Sequence, residues 1–184
     1  MFRPGNERIV SLGSFSKILA PGIRIGWMHT TSKTIERIAA YGVLASAGGV
    51  SPVTSLTLAE LLDSGAQGEV MAALNRAYHS RRRALCGALQ EGMPPWVGFD
   101  APSGGFFAWL TFPRQFDMSA LRERAAAAGI EFYTGDVFSC ELGYGNCMRL
   151  AFTYYPEPVL SDSGRRLCEV VRNHSPIQRI SDAK

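Results

Sequence analysis

A lysine in a loop of small residues is the clearest chemical feature of this sequence. Lys17 lies between two short apolar runs, Ser14 and Ser16 precede it, and Arg24 follows seven positions later. A lysine amine forms a Schiff base with an aldehyde once its ammonium loses a proton, which a neighbouring cation and desolvation favour. Hydroxyls and a guanidinium suit a phosphate group, because arginine can bind two oxygens at once. This arrangement can hold an anion together with an amine-reactive carbonyl.

The whole segment is more specific than its lysine. Residues 11–27 read SLGSFSKILAPGIRIGW. This string resembles the cofactor-lysine signature of fold-type-I pyridoxal-phosphate-dependent aminotransferases, in the branch that reads S-x-S-K-x-x-A-P-G-x-R-x-G. That branch includes the 2-aminoadipate, kynurenine and aromatic aminotransferases and related regulator domains. The resemblance implies that pyridoxal 5'-phosphate is the cofactor.

The resemblance also implies roles for individual residues. Lys17 would form the Schiff base with the cofactor and then move the proton between the substrate Cα and the cofactor. The cofactor phosphate would be bound by Ser14, Ser16 and Arg24. Two glycines, Gly22 and Gly26, would let backbone segments approach closely.

Later segments extend the resemblance to the end of the chain. They comprise a helix start at 51–55, a Tyr-x-x-Arg-Arg pattern at 78–83, a P-x-G-G-x-F-x-W strand at 102–110, small-domain segments at 129–130 and 135–138, and an R-L-x-F strand at 148–152. By this resemblance Arg149 would bind the substrate α-carboxylate through a bidentate pair and so orient the amine. The alternative is a surface arginine in a short strand. Its apolar neighbours, Met148 and Leu150, make an unpaired arginine costly there and favour the functional interpretation.

Three aromatic residues are weaker candidates for this site. Tyr133 and Phe138 could line the substrate pocket, but aromatic residues at this spacing are more often part of a core. Trp109 is interpreted as a packing residue.

The elements that must position these residues alternate between strand and helix, which predicts an α/β fold. Strands are predicted at 9–12, 23–28, 96–100, 105–112, 130–133 and 148–153. Helices are predicted from an N-cap at Ser32 to Gly48-Gly49, from Ser51-Pro52 onward, and over 68–90, 118–128 and 156–171. The first strand needs sheet partners, which are expected upstream of Met1.

The resemblance assigns the α/β chain to the C-terminal part of a fold-type-I transferase. This part comprises the end of the large-domain sheet and a small α/β C-terminal domain. The predicted division is a large-domain part, a bridging helix, a small domain and a tail, at residues 1–67, 68–92, 93–174 and 175–184.

Composition excludes several other classes. Apolar residues make up 46% of the 184 residues and charged residues 19%, which excludes a disordered chain. The net charge of +3 does not by itself indicate a nucleic-acid partner. The arginine triplet at 81–83 lacks interleaved aromatic residues, so a solvated or carboxylate-pairing helix face is the preferred interpretation.

Cysteine and hydropathy patterns predict a cytoplasmic protein without a metal site. The four cysteines form no CxxC pair and have no zinc spacing with the three histidines. Reduced, mostly buried thiols are expected. The first residues lack a signal-peptide core, and no apolar run is long enough to span a bilayer.

The predicted reaction is transfer of an amino group from an amino acid to a 2-oxo acid, in a family whose members are usually homodimers. Only sixteen residues precede Lys17, so the family's aspartate for the pyridine nitrogen is expected outside this chain. A truncated chain is the preferred explanation, and one half of a split enzyme and a non-catalytic remnant are the alternatives. The alternatives in function are a carbon–sulfur lyase or regulator ligand domain on the same scaffold, and a non-enzymatic interaction module.

Overall fold

Short strands alternate with helices along the chain, as the sequence pattern predicts. The structure is a computed structural model that describes residues 9–42, 44, 51–141 and 143–174. It divides into two compact units, Met1–Asn75 and Arg76–Lys184, which we call the hairpin unit and the sheet unit. The predicted helix end at Gly48-Gly49 and the predicted tail at 175–184 lie outside the described residues.

The hairpin unit takes its name from two antiparallel strands. Its elements are β1 (Ser11–Ser14), a 3-10 turn (Pro21–Ile23), β2 (Gly26–His29), α1 (Ser32–Ala39), α2 (Pro52–Asp63) and the first part of α3 (Ala66–Gly92). The ladder pairs Ser11 with His29 and Ser14 with Gly26. The two strands therefore pair along their whole length, and the segment between them forms the turn that carries Lys17.

Both strands begin later than predicted. The apolar run from Ile9 predicts the first strand, but pairing starts at Ser11. The second strand starts at Gly26 rather than Ile23, because Pro21–Ile23 forms a 3-10 turn and Arg24 adopts a left-handed backbone with φ 56°. A residue in that conformation cannot continue a strand.

The start of α1 also differs from the prediction by one residue. The cap is Thr31, whose side chain accepts a hydrogen bond from the backbone of Thr34. Ser32 is the first helical residue instead of the cap. Threonine and serine are both good caps, so composition alone does not distinguish between them.

The sheet unit contains a four-stranded antiparallel sheet with the strand order β3-β4-β6-β5. Its elements are the rest of α3, β3 (Gly98–Phe99), β4 (Phe107–Thr111), α4 (Met118–Ala127), β5 (Tyr133–Thr134), a 3-10 turn (Gly135–Phe138), β6 (Cys147–Ala151) and α5 (Glu157–Arg172). The predicted strand at 130–133 starts at Tyr133, because Ile130 donates its N–H to Ala125 O and remains tied to the end of α4. Gly129 ends that helix as predicted, with φ 71°.

One face of this sheet holds the hydrophobic core. Ala108 and Leu110 of β4 lie opposite Leu150 and Met148 of β6, and all four are buried. They belong to one cluster with residues of the three helices, including Leu85, Leu89, Leu121, Leu160, Leu167 and Val171. Since side chains alternate along a strand, the residues between them point to the opposite face of the sheet.

Two arginines of the triplet on α3 bond to backbone carbonyls. Arg81 donates to the carbonyl of Thr153, and Arg82 Nη1 lies 2.6 Å from Pro102 O. Ser80 donates to the Glu157 carboxylate, and this hydrogen bond lowers the pKa of that carboxyl, with a smaller contribution from Arg81. Arg83 is exposed and Arg81 acts on a carboxylate, as expected, but Arg82 bonds to a carbonyl instead. Arg81 and Arg82 connect α3 to the loops after β6 and before β4.

The four cysteines carry free thiols, and three of them are buried as predicted, namely Cys86, Cys147 and Cys168. Burial raises the pKa of the Cys86 and Cys168 thiols, although Arg82 and Arg172 act in the opposite direction. Among the described residues, no group of three His, Cys, Asp or Glu side chains is placed to hold a metal ion. No helix in the described part of the chain has the length and apolar character needed to cross a membrane.

Candidate active site

The hairpin unit contains a candidate site at one end of the hairpin. Ser14 is the last residue of β1, Gly26 opposite it is the first of β2, and Phe15 N donates to Ile25 O at 3.1 Å beyond that pair. Lys17 lies in the tight turn that follows, where Leu19 N bonds to Phe15 O. Arg24 returns the chain to β2. The topology thus places the lysine, both serines and the arginine at the same end of the hairpin.

The polar groups of this hairpin end are available to a ligand. Ser14, Lys17 and Arg24 are exposed. Arg24 Nη1 makes one long contact to Pro21 O at 3.4 Å, and within the described residues no carboxylate pairs with either cation. Ser14 Oγ accepts from Ser16 N at 3.1 Å, which fixes its position and leaves its hydroxyl hydrogen free to donate.

The backbone of Arg24 is under local strain. Its φ of 56° places a bulky residue in the left-handed region, which costs about 1–3 kcal/mol and persists where the surrounding structure requires it. That conformation directs the chain from the turn into β2 at Gly26. The backbone position of Arg24 is therefore part of the fold of the hairpin.

Two glycines let the strands of the hairpin approach closely. A Cβ on Gly26 would lie 2.8 Å from Gly13 O, and one on Gly13 would lie 2.0 Å from Trp27 Cε2. Gly26 is therefore required as predicted, and Gly13 is a second position that sequence reasoning missed. At Gly22 an added Cβ meets no described atom within 4 Å, so a close backbone approach there stays a prediction.

This set of groups fits an aldehyde that carries a phosphate. The primary amine of Lys17 can condense with an aldehyde. A guanidinium, two serines and the backbone N–H groups of a tight turn suit a phosphate dianion. Since Lys17 and Arg24 have no carboxylate partner in the described residues, an anion would supply the missing counter-charge.

The sheet unit contains a separate candidate binding residue, Arg149, on the face of the sheet opposite the core. It is half-buried on β6, where the ladder pairs it with Trp109 on one side and Tyr133 on the other. Its guanidinium carbon lies 3.8 Å from the ring centroid of Phe138 and 4.0 Å from that of Phe107. The Tyr133 centroid is 5.4 Å away. We call these three rings the aromatic cage.

The cage holds a cation and leaves its hydrogen-bond donors free. Within the described residues Arg149 has no ion pair, while each ring attracts the guanidinium electrostatically. Rings over the face of a guanidinium leave the N–H groups at its edge directed outward, in the fork that matches a carboxylate. Arg149 is thus arranged to bind a small planar anion.

The structure changes the interpretation of the aromatic residues. Tyr133 and Phe138 are exposed and lie around Arg149, so the core alternative is wrong for both. Trp109 lies on the same open face, with its ring 6.3 Å from that of Tyr144. Sequence reasoning missed Phe107. Its two-residue spacing from Trp109 on one strand is the signal that could have identified it.

Comparison with known proteins identifies the family. Residues 3–158 match the family described as aminotransferase class I and II. The chain belongs to this family. It is 35% identical to aromatic-amino-acid aminotransferase 1 of Thermococcus litoralis over an alignment of 167 residues. This alignment covers 90% of this chain and 39% of that protein.

Solved aminotransferase structures share the fold. The multiple substrate aminotransferase of Thermococcus profundus superposes with a TM-score of 0.83 and 32% identity, over 94% of this chain and 42% of that chain. LysN, the α-aminoadipate aminotransferase of Thermus thermophilus, gives a TM-score of 0.77 at 25% identity, over 89% of this chain and 42% of that chain. The chain therefore spans about two-fifths of the length of these relatives, and the expected α/β fold-type-I architecture is confirmed.

The cofactor of the family is pyridoxal 5'-phosphate. The LysN structure was solved as a complex with N-(5'-phosphopyridoxyl)-L-leucine, in which a phosphorylated pyridoxyl group is joined to an amino acid. The chemical groups at the hairpin end fit the aldehyde and phosphate of such a cofactor. A guanidinium without an ion pair in the described residues, as at Arg149, is chemically suited to the carboxylate of the amino-acid part.

Proposed function

We propose that this chain contributes the cofactor lysine and the substrate arginine of a pyridoxal-phosphate-dependent aminotransferase. The reaction is transfer of an amino group from an amino acid to a 2-oxo acid. The observation that carries the proposal is the hairpin end, where Lys17, Ser14, Ser16 and Arg24 meet with no carboxylate partner in the described residues. Membership of the aminotransferase family supports the interpretation of this arrangement as a site for a phosphorylated aldehyde cofactor.

Each residue has a defined task in this proposal. Lys17 holds the cofactor through its amine and, once released, moves a proton at the substrate Cα. Ser14, Ser16 and Arg24 hold the phosphate, and Arg149 binds the α-carboxylate through its free N–H edge. The bound cofactor supplies the electron sink for the negative charge that develops at Cα.

The remaining assignments follow from the same proposal. Residues 1–67 form the end of the large cofactor-binding domain, 68–92 the bridging helix, 93–174 the small domain and 175–184 the tail. The acidic group that faces the pyridine nitrogen comes from the N-terminal part of the family fold. The assembled enzyme is a cytoplasmic homodimer, as is usual for the family.

An absorbance titration with pyridoxal phosphate tests the proposal. The wild-type chain should develop a lysine-dependent band in the visible or near-ultraviolet that is absent from Lys17→Ala. Lys33→Ala is the matched control, because Lys33 is an exposed lysine on α1 of the same unit and should leave the band unchanged. Equal bands in all three proteins would contradict the role of Lys17.

A further inference from the structure

Tyr144 of the sheet unit has a backbone conformation that is unusual for a bulky residue. Its φ is 65°, in the left-handed region, where a Cβ is crowded and glycine is the usual occupant. Such a conformation persists only where the surrounding structure requires it, and it occurs most often at functional sites. The contacts that Tyr144 makes must therefore offset the strain of its backbone.

Tyr144 packs directly against the start of the 3-10 turn Gly135–Phe138. A Cβ added to Gly135 would lie 2.5 Å from the backbone oxygen of Tyr144 and 2.8 Å from its Cβ. Gly135 is buried, so no side chain fits between the two segments. The same tyrosine oxygen accepts a hydrogen bond from Cys147 N, the first residue of β6, at 2.9 Å. Tyr144 thus connects the turn to the start of β6.

The ring of Tyr144 contacts β4. It lies edge-to-face with the ring of Trp109, with 6.3 Å between the ring centroids and an interplanar angle of 76°. Trp109 also limits the space at Gly135, because its Cη2 would lie 2.9 Å from the added Cβ. Trp109 is in turn the ladder partner of Arg149. Tyr144 and Trp109 together therefore fix the start of the turn.

The other end of this turn carries one ring of the aromatic cage. Phe138 is the last residue of the turn, which closes where Ser139 N donates to Asp136 O at 3.1 Å. The Phe138 ring is the closest of the three cage rings to the guanidinium carbon of Arg149, at 3.8 Å. Because the turn is a single hydrogen-bonded unit, a shift at its start would displace this ring from the guanidinium.

We propose that Tyr144 is a positioning residue for Arg149. Its left-handed backbone and its ring fix the Gly135–Phe138 turn, and the turn holds the Phe138 ring against the guanidinium. Arg149 then meets a carboxylate with its N–H groups already oriented, which lowers the cost of ordering on binding. The effect on a substrate carboxylate rests on the proposed function of Arg149, whereas the positioning itself is a property of the sheet unit.

NMR of the full chain tests the positioning directly. The guanidinium lies over the rings of Phe107 and Phe138, so ring currents should shift the Arg149 Nε–H resonance upfield. This resonance is assigned by its loss in Arg149→Lys. In Tyr144→Gly it should move toward the position of an unconstrained arginine, whereas Tyr144→Phe, which keeps the ring, should keep the wild-type position.

The variants are chosen so that loss of folding does not imitate loss of positioning. The Tyr144 side chain is 64% exposed, and glycine relieves the backbone strain, so Tyr144→Gly should remain folded by circular dichroism. Tyr154→Gly is the matched control, because Tyr154 is an exposed tyrosine whose ring is not among those around Arg149. It should leave the Arg149 resonance unchanged.

Carboxylate binding shows whether Tyr144 acts through Phe138. Tyr144→Gly should raise the Kd of 3-phenylpropanoate roughly two- to fivefold, because a less constrained guanidinium must be ordered on binding. Tyr144→Phe should restore the wild-type Kd. In the Phe138→Leu background, Tyr144→Gly should cause no further increase, because the ring that it positions is already absent.

Two results would overturn the inference. One is an Arg149 resonance that Tyr144→Gly leaves unchanged in a folded chain. The other is an equal rise of the Kd in the presence and in the absence of the Phe138 ring. If Arg149→Lys fails to weaken binding of 3-phenylpropanoate, the proposed carboxylate role of Arg149 fails instead, and the Nε–H resonance of the wild-type and Tyr144 variants still decides the positioning.

Discussion

At Arg149 the contacts that fix the guanidinium are aromatic. Phe107 and Phe138 approach it to 4.0 Å and 3.8 Å, measured from ring centroid to the guanidinium carbon. A carboxylate partner from the protein would occupy the N–H edge, whereas rings occupy the planar face. The arginine is therefore positioned without being neutralised. Lysine could not replace it, because an ammonium lacks both the planar face and the paired donors.

Removal of one ring should weaken carboxylate binding by a modest amount. We expect Phe138→Leu to raise the Kd of a carboxylate roughly two- to fivefold, because a guanidinium that the ring no longer positions must be ordered on binding, at a cost of about 0.5–1 kcal/mol. NMR titration of the chain with 3-phenylpropanoate measures this change. Tyr154→Leu is the control, because its ring is exposed and is not among those around Arg149. An unchanged Kd in Phe138→Leu would show that the cage does not position the guanidinium.

The residues at the site were predictable to different degrees. The proposed roles of Lys17, Ser14, Ser16 and Arg24 follow from one long motif, whereas that of Arg149 follows from the separate R-L-x-F pattern. The cage did not follow, since an aromatic residue on a strand fits a core as well as an open face. Which face a strand buries is decided by the helices that pack on it, and a single strand does not contain that information.

At the level of secondary-structure elements, close packing between two helices of the sheet unit explains why position 164 is a glycine. A Cβ added to Gly164 on α5 would lie 2.9 Å from Ala88 Cβ and 3.3 Å from Leu85 Cδ1 on α3. This glycine therefore allows the two helices to approach closely. Gly87 on α3 has no atom within 4 Å of an added Cβ and carries no such constraint.

These two glycines should respond oppositely to alanine. Gly164→Ala should lower the Tm of the sheet unit, because overpacking typically costs about 1–3 kcal/mol. Gly87→Ala should raise it, since alanine is favoured over glycine within a helix by about 0.8–1 kcal/mol. Thermal unfolding followed by circular dichroism measures both. An increase in Tm for Gly164→Ala would contradict the close contact between α3 and α5.

Element types were predicted more reliably than their ends. The long helix, predicted at 68–90, is present as Ala66–Gly92, and the predicted helix at 156–171 is present as Glu157–Arg172. The strands of the hairpin begin two and three residues later than predicted. Periodicity identifies an element, but the hydrogen bonds of Pro21–Ile23 and the left-handed Arg24 determine where pairing starts.

For the whole molecule, the two units differ in how much of their apolar surface they bury. The sheet unit buries a large apolar cluster, whereas in the described part of the hairpin unit nearly all large apolar side chains are half-buried or exposed. The α/β class and the family were predictable, because alternation and motif are local properties of the sequence. The exposure of the hairpin unit was not predictable in detail, because apolar composition alone does not show which surface covers a residue.

The central claim is that one hairpin holds both the aldehyde and the phosphate of the cofactor. Reductive trapping with borohydride tests it directly, because the sequence contains only three lysines, at positions 17, 33 and 184. Peptide mapping after incubation with pyridoxal phosphate should place the adduct mainly on Lys17. Pyridoxal, which lacks the phosphate, should label Lys17 less, and Arg24→Ala should remove the difference between the two aldehydes. Equal labelling of Lys17 and Lys33 by both aldehydes would contradict the account.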